Sequence, residues 1–201
     1  SAEEMDAHCA RLVKVDRNFA GVVRSAEPCP FGRSRPGSTH FESLVRAVTA
    51  QQVSTAAARS IYARVMSVAG GQLTPDAIAE TSHEHLRGAG LSAGKVRTVT
   101  ELAYAATSGA VNFRTLARQS DEVIIEELTS IHGIGRWTAE MFLMFQLGRL
   151  DVWPVGDLAV RRGWDHLHHP DPQVTPAALT ALGERFAGYR SVAAWYCWRA
   201  S

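Results

Sequence analysis

The sequence is poor in the features that mark disulfide-rich, metal-cluster or membrane proteins. Its 201 residues include only three cysteines, Cys9, Cys29 and Cys197. An odd number of scattered cysteines argues against a disulfide framework and against a four-cysteine cluster. No apolar run approaches the length of a membrane span, and the N-terminal segment lacks the apolar core of a secretion signal. We therefore expect an intracellular protein without a membrane partner, in the cytoplasm or nucleoid if the source is bacterial.

Signals for helix starts recur along the chain, and no convincing strand pattern interrupts them. The clearest starts are Thr39 with Glu42 as a capping box, Thr74-Pro75, Ser92 and Thr175-Pro176. With 46% hydrophobic residues, a chain of this length buries one good core and does not need a second domain. The sequence predicts an all-α fold in which residues 1–201 form a single helical domain.

Two of the predicted helices are joined by a short glycine-rich turn. Residues 121–128 form an amphipathic pattern with an acidic start, and a second helical pattern covers residues 136–147. The segment His132-Gly133-Ile134-Gly135 between them permits only a tight reversal. The free N–H groups at the start of the second helix can hold a phosphate. The alternative is an ordinary glycine turn between packed helices.

Five segments together resemble one known family. They are FESLVRAVTAQQVS (41–54), Gly90-Leu91-Ser92 with Lys95, IHGIGRWTAEMF (131–142), PVGDLAVRRG (154–163) and YRSVAAWYCWR (189–199). The chain resembles the helix-hairpin-helix DNA glycosylase superfamily, and within it the 3-methyladenine DNA glycosylase II type. The resemblance implies a bilobed helical core with the active-site cleft between the lobes and the helix-hairpin-helix at about 121–147. Only about 40 residues precede the helix at Phe41, so we expect no N-terminal β domain.

The resemblance assigns the catalytic role to Asp157. In the family, the catalytic aspartate begins the helix that follows the hairpin, and PVGDLAVRR puts Asp157 at that place. A carboxylate beside C1′ stabilises the positive charge that develops on the sugar as the N-glycosidic bond breaks, and it can orient or deprotonate the attacking water. An alkylated purine already carries positive charge and needs no second carboxylate as acid. The alternative role, a helix N-cap, is compatible with catalysis.

Trp137 indicates which branch of the superfamily the chain resembles. Members that also cut the DNA backbone carry a lysine two residues after the second hairpin glycine, where this chain has Trp137. The chain therefore resembles the monofunctional enzymes, which have no AP lyase activity. The resemblance also gives a pocket for a flipped base lined by Trp137, Trp198 and Met141, although core packing is the alternative for each tryptophan.

The expected contacts with DNA come from the hairpin, a wedge loop and arginines. Gln52 stands where some relatives place an apolar wedge, with a polar turn residue as the alternative. Arginine suits phosphate recognition, and a local basic patch suffices despite a net charge of only +1. The full set of expected DNA-binding residues is Gln52, Gly133, Gly135, Arg136, Thr138, Arg161 and Arg162.

The cofactor expectations are limited to one ion. In the family, backbone carbonyls of the hairpin bind a monovalent cation, Na+ or K+, and those carbonyls would here belong to Thr129, Ile131 and Ile134. No other cofactor is expected, and no iron–sulfur cluster, because the four cysteines that hold one in some relatives are missing. The histidine-rich run at residues 165–169 is interpreted as a solvated turn rather than a metal site.

These observations together predict a monofunctional DNA glycosylase of base excision repair. Its expected partner is double-stranded DNA containing alkylated bases, and a monomer is the family expectation. Two alternatives stay open: a non-catalytic helix-hairpin-helix module that binds damaged DNA, and a glycosylase of another base specificity.

Overall fold

The computed structural model describes residues 2–33 and 37–201. Within those residues the secondary structure is helical and contains no strand, which confirms the predicted all-α class. The chain divides into two compact units. The terminal unit comprises residues 1–35 and 143–201, and the central unit comprises residues 36–142. The single domain over residues 1–201 and the cleft between lobes stay predictions.

The terminal unit is built from both ends of the chain. Its helices are α1 (Ala2–Val15), α2 (Ala20–Ser25), α10 (Leu158–His168), α11 (Pro176–Gly183) and α12 (Arg190–Ala200). Short 3-10 segments lie at Arg17–Phe19 and Glu184–Phe186.

The central unit is continuous in sequence. Its helices are α3 (His40–Ala50), α4 (Thr55–Val68), α5 (Pro75–Glu80), α6 (His83–Gly88), α7 (Ala93–Thr107) and α8 (Asp121–Thr129), with a 3-10 segment at Leu116–Arg118. A further helix, α9 (Arg136–Phe145), begins in the central unit and ends in the terminal unit. Along the described residues, none of the helices is both long and apolar enough to cross a bilayer.

The predicted helix starts are confirmed. The Thr39 hydroxyl accepts from the Glu42 amide while the Glu42 carboxylate accepts from the Thr39 amide, which completes the capping box of α3. Ser92 caps α7 through the amide of Lys95 at 3.3 Å. Thr74 and Thr175 likewise cap α5 and α11, each with proline in the first turn.

The glycine-rich reversal between α8 and α9 is confirmed, but α9 ends earlier than predicted. Gly133 has φ +81, a left-handed conformation that glycine adopts without steric cost. Helix α9 ends at Phe145 rather than at the predicted Leu147. The chain has left the helix by Leu147. The Arg149 amide donates to the Leu143 carbonyl, and Gly148 has a left-handed backbone conformation with φ +68. Glycine is needed there, since a Cβ on Gly148 would overlap the backbone of Arg33.

Close packing of α10 against α12 dominates the terminal unit. Gly163 is buried on α10, and a Cβ at that position would overlap the carbonyl oxygen of Cys197 on α12. Because glycine lets the two backbones touch, residues near Cys197 come within hydrogen-bond reach of the start of α10. This contact places the neighbouring Trp198 beside Asp157.

Candidate active site

Asp157 is a buried carboxylate at the N-terminus of α10. The residue is 9% exposed, and its backbone is extended, with φ −72 and ψ 122. Oδ1 accepts a hydrogen bond from the Val160 amide at 2.9 Å, so Asp157 is the N-cap of α10. The cap role is confirmed, and it fixes the orientation of the carboxylate, whose catalytic role stays a prediction.

A second donor reaches the same carboxylate oxygen. Trp198 Nε1 on α12 donates to Asp157 Oδ1 at 3.1 Å. Two donors on one oxygen fix the plane of the carboxylate, since rotation would break both bonds. The Trp198 ring also stacks on Phe145, with centroids 5.8 Å apart and 26° between the planes. Trp198 therefore orients Asp157, and its predicted place in the base pocket stays a prediction.

The segment that leads to Asp157 is held by hydrogen bonds along its length. The Val152 amide donates to Ser191 Oγ at 3.0 Å, and Trp153 Nε1 donates to the Leu179 carbonyl at 2.8 Å. The Asp157 amide donates to the Pro154 carbonyl at 2.9 Å. Val152 is thus fixed to α12 and Trp153 to α11. Asp157 therefore has a rigid support although it lies outside a helix.

A cavity of about 510 Å³ lies in the central unit. Trp137 and Met141, four residues apart on α9, line it together with Ala47, Ala50 and Gln52. Trp137 is 46% exposed, unlike Trp195, which is buried with its indole donating to the Glu27 carbonyl at 3.0 Å. The structure thus brings together three residues that the sequence singled out, Gln52, Trp137 and Met141.

The turn that carries Gln52 is held by side chains that were not predicted to matter. Gln52 has φ 55, which is uncommon for a residue with a side chain. The ammonium of Lys95 donates to the carbonyls of Thr49 and Gln51 at 2.8 and 2.6 Å, and its desolvation lowers the Lys95 pKa. Gln51 Nε2 in turn donates to the Gly133 carbonyl at 3.2 Å.

Phe145 and Lys95 were missed as site residues by the sequence analysis. Phe145 lies four residues after Met141, and this spacing indicates that the two residues share one face of a helix. Lys95 is one of only two lysines in a chain otherwise rich in arginine. That scarcity was the available signal that Lys95 deserved separate consideration.

Arg136 is engaged by two carboxylates at the start of α9. Its guanidinium forms two hydrogen bonds with Glu122, the shorter at 2.9 Å, and Nε lies 3.1 Å from Glu140 Oε1. The hydrogen bonds to Glu122 are the main reason that the pKa of Arg136 is raised. The Glu122 pair is exposed to solvent, so a phosphate can compete for the guanidinium. The role of Arg136 in binding phosphate stays a prediction.

The other residues expected at DNA differ in exposure. Gly133, Gly135 and Arg162 are exposed, as a contact with phosphate requires. Thr138 is buried, and its hydroxyl lies 3.4 Å from Gln51 Nε2, so its side chain supports the turn beside Gln52. Arg161 is half-buried, and its Nε has no hydrogen-bond partner among the described residues.

The hairpin offers backbone oxygens of the kind that a monovalent cation needs. Thr129 is the last residue of α8, so its carbonyl faces out of the helix end. The carbonyl of Ile131 accepts the Ile134 amide at 3.1 Å and keeps a second lone pair. The predicted ligand set of Thr129, Ile131 and Ile134 stays a prediction.

The histidine-rich run proves to be the end of α10 rather than a solvated turn. His168 Nε2 lies 2.7 Å from Asp16 Oδ2, and its ring stacks on Trp164 with centroids 3.9 Å apart. His168 is therefore part of the terminal unit's packing. Across the described residues, no three His, Cys, Asp or Glu side chains are grouped to hold a metal ion.

The helical hairpin followed by a buried aspartate at a helix start defines a class of DNA repair protein. The model of the HhH-GPD superfamily of base excision DNA repair proteins matches residues 45–187. The chain belongs to this superfamily, and the resemblance predicted from its motifs is confirmed. The matched range contains both the hairpin and Asp157.

Similar proteins cover nearly the whole chain. DNA-3-methyladenine glycosylase 1 of Schizosaccharomyces pombe is 38% identical over 193 residues, which are 94% of this chain and 85% of the relative. The structure of a Schizosaccharomyces pombe 3-methyladenine DNA glycosylase in complex with abasic DNA has a TM-score of 0.84 at 36% identity, covering 96% of this chain and 95% of that chain. A DNA-3-methyladenine glycosidase from Bacillus halodurans has a TM-score of 0.83 at 36% identity, covering 96% and 88%.

Proposed function

We propose that the protein is a monofunctional DNA glycosylase that hydrolyses the N-glycosyl bond of alkylated purines, 3-methyladenine among them, in double-stranded DNA. This reaction is the first step of base excision repair. The observation that carries the proposal is the buried Asp157 carboxylate, oriented by two hydrogen bonds on one oxygen. The names of the relatives, which are 3-methyladenine glycosylases, support the substrate class.

Asp157 supplies the negative charge that this reaction requires. The departing base takes the bonding electrons and leaves positive charge on the deoxyribose, so a fixed carboxylate stabilises the transition state more than the ground state. Water then adds at C1′, and the carboxylate orients it or accepts its proton. Because Asp157 is held in place before substrate binds, little reorganisation is needed when charge develops.

Trp137 and Met141 supply the surface that binds the flipped base. An exposed indole beside a cavity can stack on a base that has left the helix, and its π-face attracts a positively charged alkylpurine. Met141 gives an adaptable apolar wall rather than a second aromatic face. This combination favours cationic purines and tolerates variation in the position of the alkyl group.

The lysines of the chain support the absence of AP lyase activity. Such activity needs an unprotonated amine that attacks C1′ to form a Schiff base. The position of the lyase lysine is occupied by Trp137, and Lys95 is engaged by two backbone carbonyls. Lys14 lies exposed on α1. The reaction therefore ends with an abasic site in an intact strand.

The hairpin and the turn at Gln52 hold the duplex. The amides of the exposed Gly133 and Gly135 bind phosphate without reading sequence, and the carbonyls of Thr129, Ile131 and Ile134 would hold a monovalent cation that adds positive charge for the DNA backbone. Gln52 fills the space left by the flipped nucleotide and hydrogen-bonds the unpaired base. Arg161 and Arg162 add positive charge near the DNA.

The experiment that tests the proposal measures base release from duplex oligonucleotides that carry one 3-methyladenine analogue or another alkylpurine. Strand breaks are read with and without hot alkali, for the natural protein, for Asp157→Asn and for Asp6→Asn as the control. Asp6 lies exposed on α1, so its change removes one negative charge without touching the site. We expect alkali-dependent breaks for the natural protein and for Asp6→Asn, and at least a hundredfold loss of the rate for Asp157→Asn.

The other outcomes decide between the alternatives. Breaks without alkali would show AP lyase activity and overturn the monofunctional assignment. Binding without breaks, unchanged in Asp157→Asn, would identify a damaged-DNA-binding module. Release of oxidised guanine or mispaired adenine in preference to alkylpurines would overturn the substrate class alone.

A further inference from the structure

The turn at Gln51 and Gln52 has a conformation that its own sequence does not stabilise. Gln52 has φ 55, a left-handed conformation in which residues other than glycine, asparagine and aspartate are uncommon. Helix α3 ends just before it, and although the Gln51 amide donates to the Val48 carbonyl, the Thr49 carbonyl lies past the last amide that the helix itself could supply. Contacts from outside the turn therefore contribute to holding it in this shape.

Lys95 on α7 provides that support. Its Nζ donates to the Thr49 carbonyl at 2.8 Å and to the Gln51 carbonyl at 2.6 Å, one on each side of the helix end. A cation at the C-terminal end of a helix also interacts favourably with the helix dipole. The ammonium is thus matched in both geometry and charge to the carbonyls that precede Gln52.

The same helix also contacts the hairpin. Three residues after Lys95, Thr98 lies so close to Gly133 that a Cβ there would overlap the Thr98 hydroxyl. Three residues farther on, the Glu101 carboxylate accepts the His132 amide at 3.1 Å. Residues at spacings of three share one face of a helix, so one face of α7 supports both the turn and the hairpin.

A direct hydrogen bond connects the two supported elements. Gln51 Nε2 donates to the Gly133 carbonyl at 3.2 Å. The turn beside Gln52 and the phosphate-binding glycine are therefore held at a fixed spacing inside the central unit. If the hairpin fixes the DNA backbone, this spacing determines where Gln52 meets the base stack.

We propose that Lys95 is a positioning residue for damage recognition, because its ammonium holds the Gln51–Gln52 turn in the shape that fills the gap left by a flipped nucleotide. The proposal rests on the proposed function, since it assumes that the protein flips a nucleotide. Lys95 is not among the residues that line the cavity beside Trp137. It acts through Gln52.

The consequence is a specific effect on the binding of DNA that contains an abasic site. An intact duplex has no gap for Gln52 to fill, so its binding depends on the hairpin and on phosphate contacts. A duplex with an abasic site contains the gap, and a well-placed Gln52 adds affinity there. Lys95 should therefore control the ratio of the two dissociation constants rather than DNA affinity in general.

The test measures dissociation constants for an intact duplex and for the same duplex with one tetrahydrofuran abasic-site analogue. The variants are Lys95→Met, Lys95→Arg, Gln52→Ala and the double variant of Lys95→Met with Gln52→Ala. Lys14→Met is the matched control, because Lys14 is the other lysine of the chain and lies exposed on α1. Should Lys95→Met not fold, Lys95→Gln replaces it in every comparison.

We expect Lys95→Met to reduce the preference for the abasic duplex about tenfold, with less than a twofold change on the intact duplex. Lys95→Arg should restore most of the preference, because its guanidinium can donate to both carbonyls. The double variant should lose no more than Gln52→Ala alone, since both changes remove one interaction. Lys14→Met should behave as the natural protein.

Different results separate this inference from the proposed function. A natural protein with no preference for the abasic duplex would overturn the assumption of nucleotide flipping. A preference retained by Lys95→Met, or additive losses in the double variant, would overturn the role of Lys95 and leave the proposed function intact.

Discussion

Trp198 and Asp157 are joined by a hydrogen bond of 3.1 Å from the indole nitrogen to Oδ1, although 41 residues separate them in sequence. The bond joins the last helix of the terminal unit to the N-terminus of α10. Because the same oxygen also accepts the Val160 amide, the carboxylate is held from two directions. The orientation of the proposed catalytic group thus depends on a tryptophan that the sequence suggested as a wall for the base or as part of the core.

The first prediction concerns this bond. Trp198→Phe keeps an aromatic ring beside Phe145 but removes the indole donor, so Asp157 loses one of its two fixed contacts. We expect kcat for base release to fall about tenfold, equivalent to about 1.4 kcal/mol, with KM changed little. Single-turnover and steady-state kinetics on an alkylpurine duplex provide the measurement.

The control for that prediction is Trp195→Phe, which removes an indole hydrogen bond to the Glu27 carbonyl elsewhere in the same unit. Its melting temperature should fall while kcat stays within twofold. Equal losses of kcat in both variants would mean that Trp198 contributes through packing alone.

The contact between α10 and α12 gives a second prediction. Gly163→Ala puts a Cβ into the Cys197 carbonyl oxygen, which is backbone and cannot move aside without shifting α12. We expect the free energy of unfolding to fall by about 1–3 kcal/mol, and kcat to fall with it because Trp198 is displaced. Gly21→Ala in α2 is the matched control, since its Cβ meets no atom within 4 Å. Urea titration and kinetics of both variants test the expectation; unchanged stability of Gly163→Ala would contradict the close packing.

A third prediction separates the two roles of Arg136. If its guanidinium exchanges Glu122 for a phosphate, Arg136→Gln should weaken DNA binding and reduce the slope of log affinity against log salt by about one. If it only joins α8 to α9, the melting temperature should fall and the slope should not change. Binding titrations at several salt concentrations distinguish the outcomes, and Arg24→Gln on exposed α2 controls for general loss of positive charge.

The buried thiol of Cys29 gives a prediction for alkaline pH. Desolvation raises the pKa of Cys29 from 9.0 to about 12, so the folded protein keeps its proton where the unfolded chain releases it. Because the unfolded state then binds fewer protons, the stability contributed by the neutral thiol declines as pH rises above about 9, until the folded thiol also ionises near 12. Thermal melts from pH 7 to 11 should show this decline, and Cys29→Ala should show a smaller one. An equal decline in both proteins would assign it to other groups.

The sequence allowed the fold class, the helix starts and the hairpin to be predicted because these depend on local signals. Capping residues, a glycine-rich turn and the spacing of apolar residues act within a few positions of the chain. The position of Asp157 at a helix start was predictable for the same reason. The end of α9 was predicted two residues too late, and the close approach of Gly148 to Arg33 that accompanies it is not visible in the sequence.

The contacts that orient the site were not predictable, because they join residues distant in sequence. Nothing near Trp198 indicates that its indole reaches Asp157, and nothing near Lys95 indicates that its ammonium reaches Thr49 and Gln51. Arg136 illustrates a further limit. An arginine at a hairpin suggests a phosphate contact, whereas its carboxylate partners are visible only in three dimensions.

The division of the chain also has a consequence for the order of folding. The central unit is continuous, so every loop that its contacts close lies within residues 36–142, whereas the terminal unit joins two segments separated by all of those residues. Closing a long loop costs more chain entropy and slows the contacts that depend on it. We therefore expect the N-terminal segment, whose Asp16 contacts His168 and whose Glu27 carbonyl accepts the Trp195 indole, to gain protection from amide exchange last during refolding. The support of Asp157 closes a shorter loop, since Trp198 lies 41 positions away, and a chain interrupted before that last step would already hold its carboxylate in place.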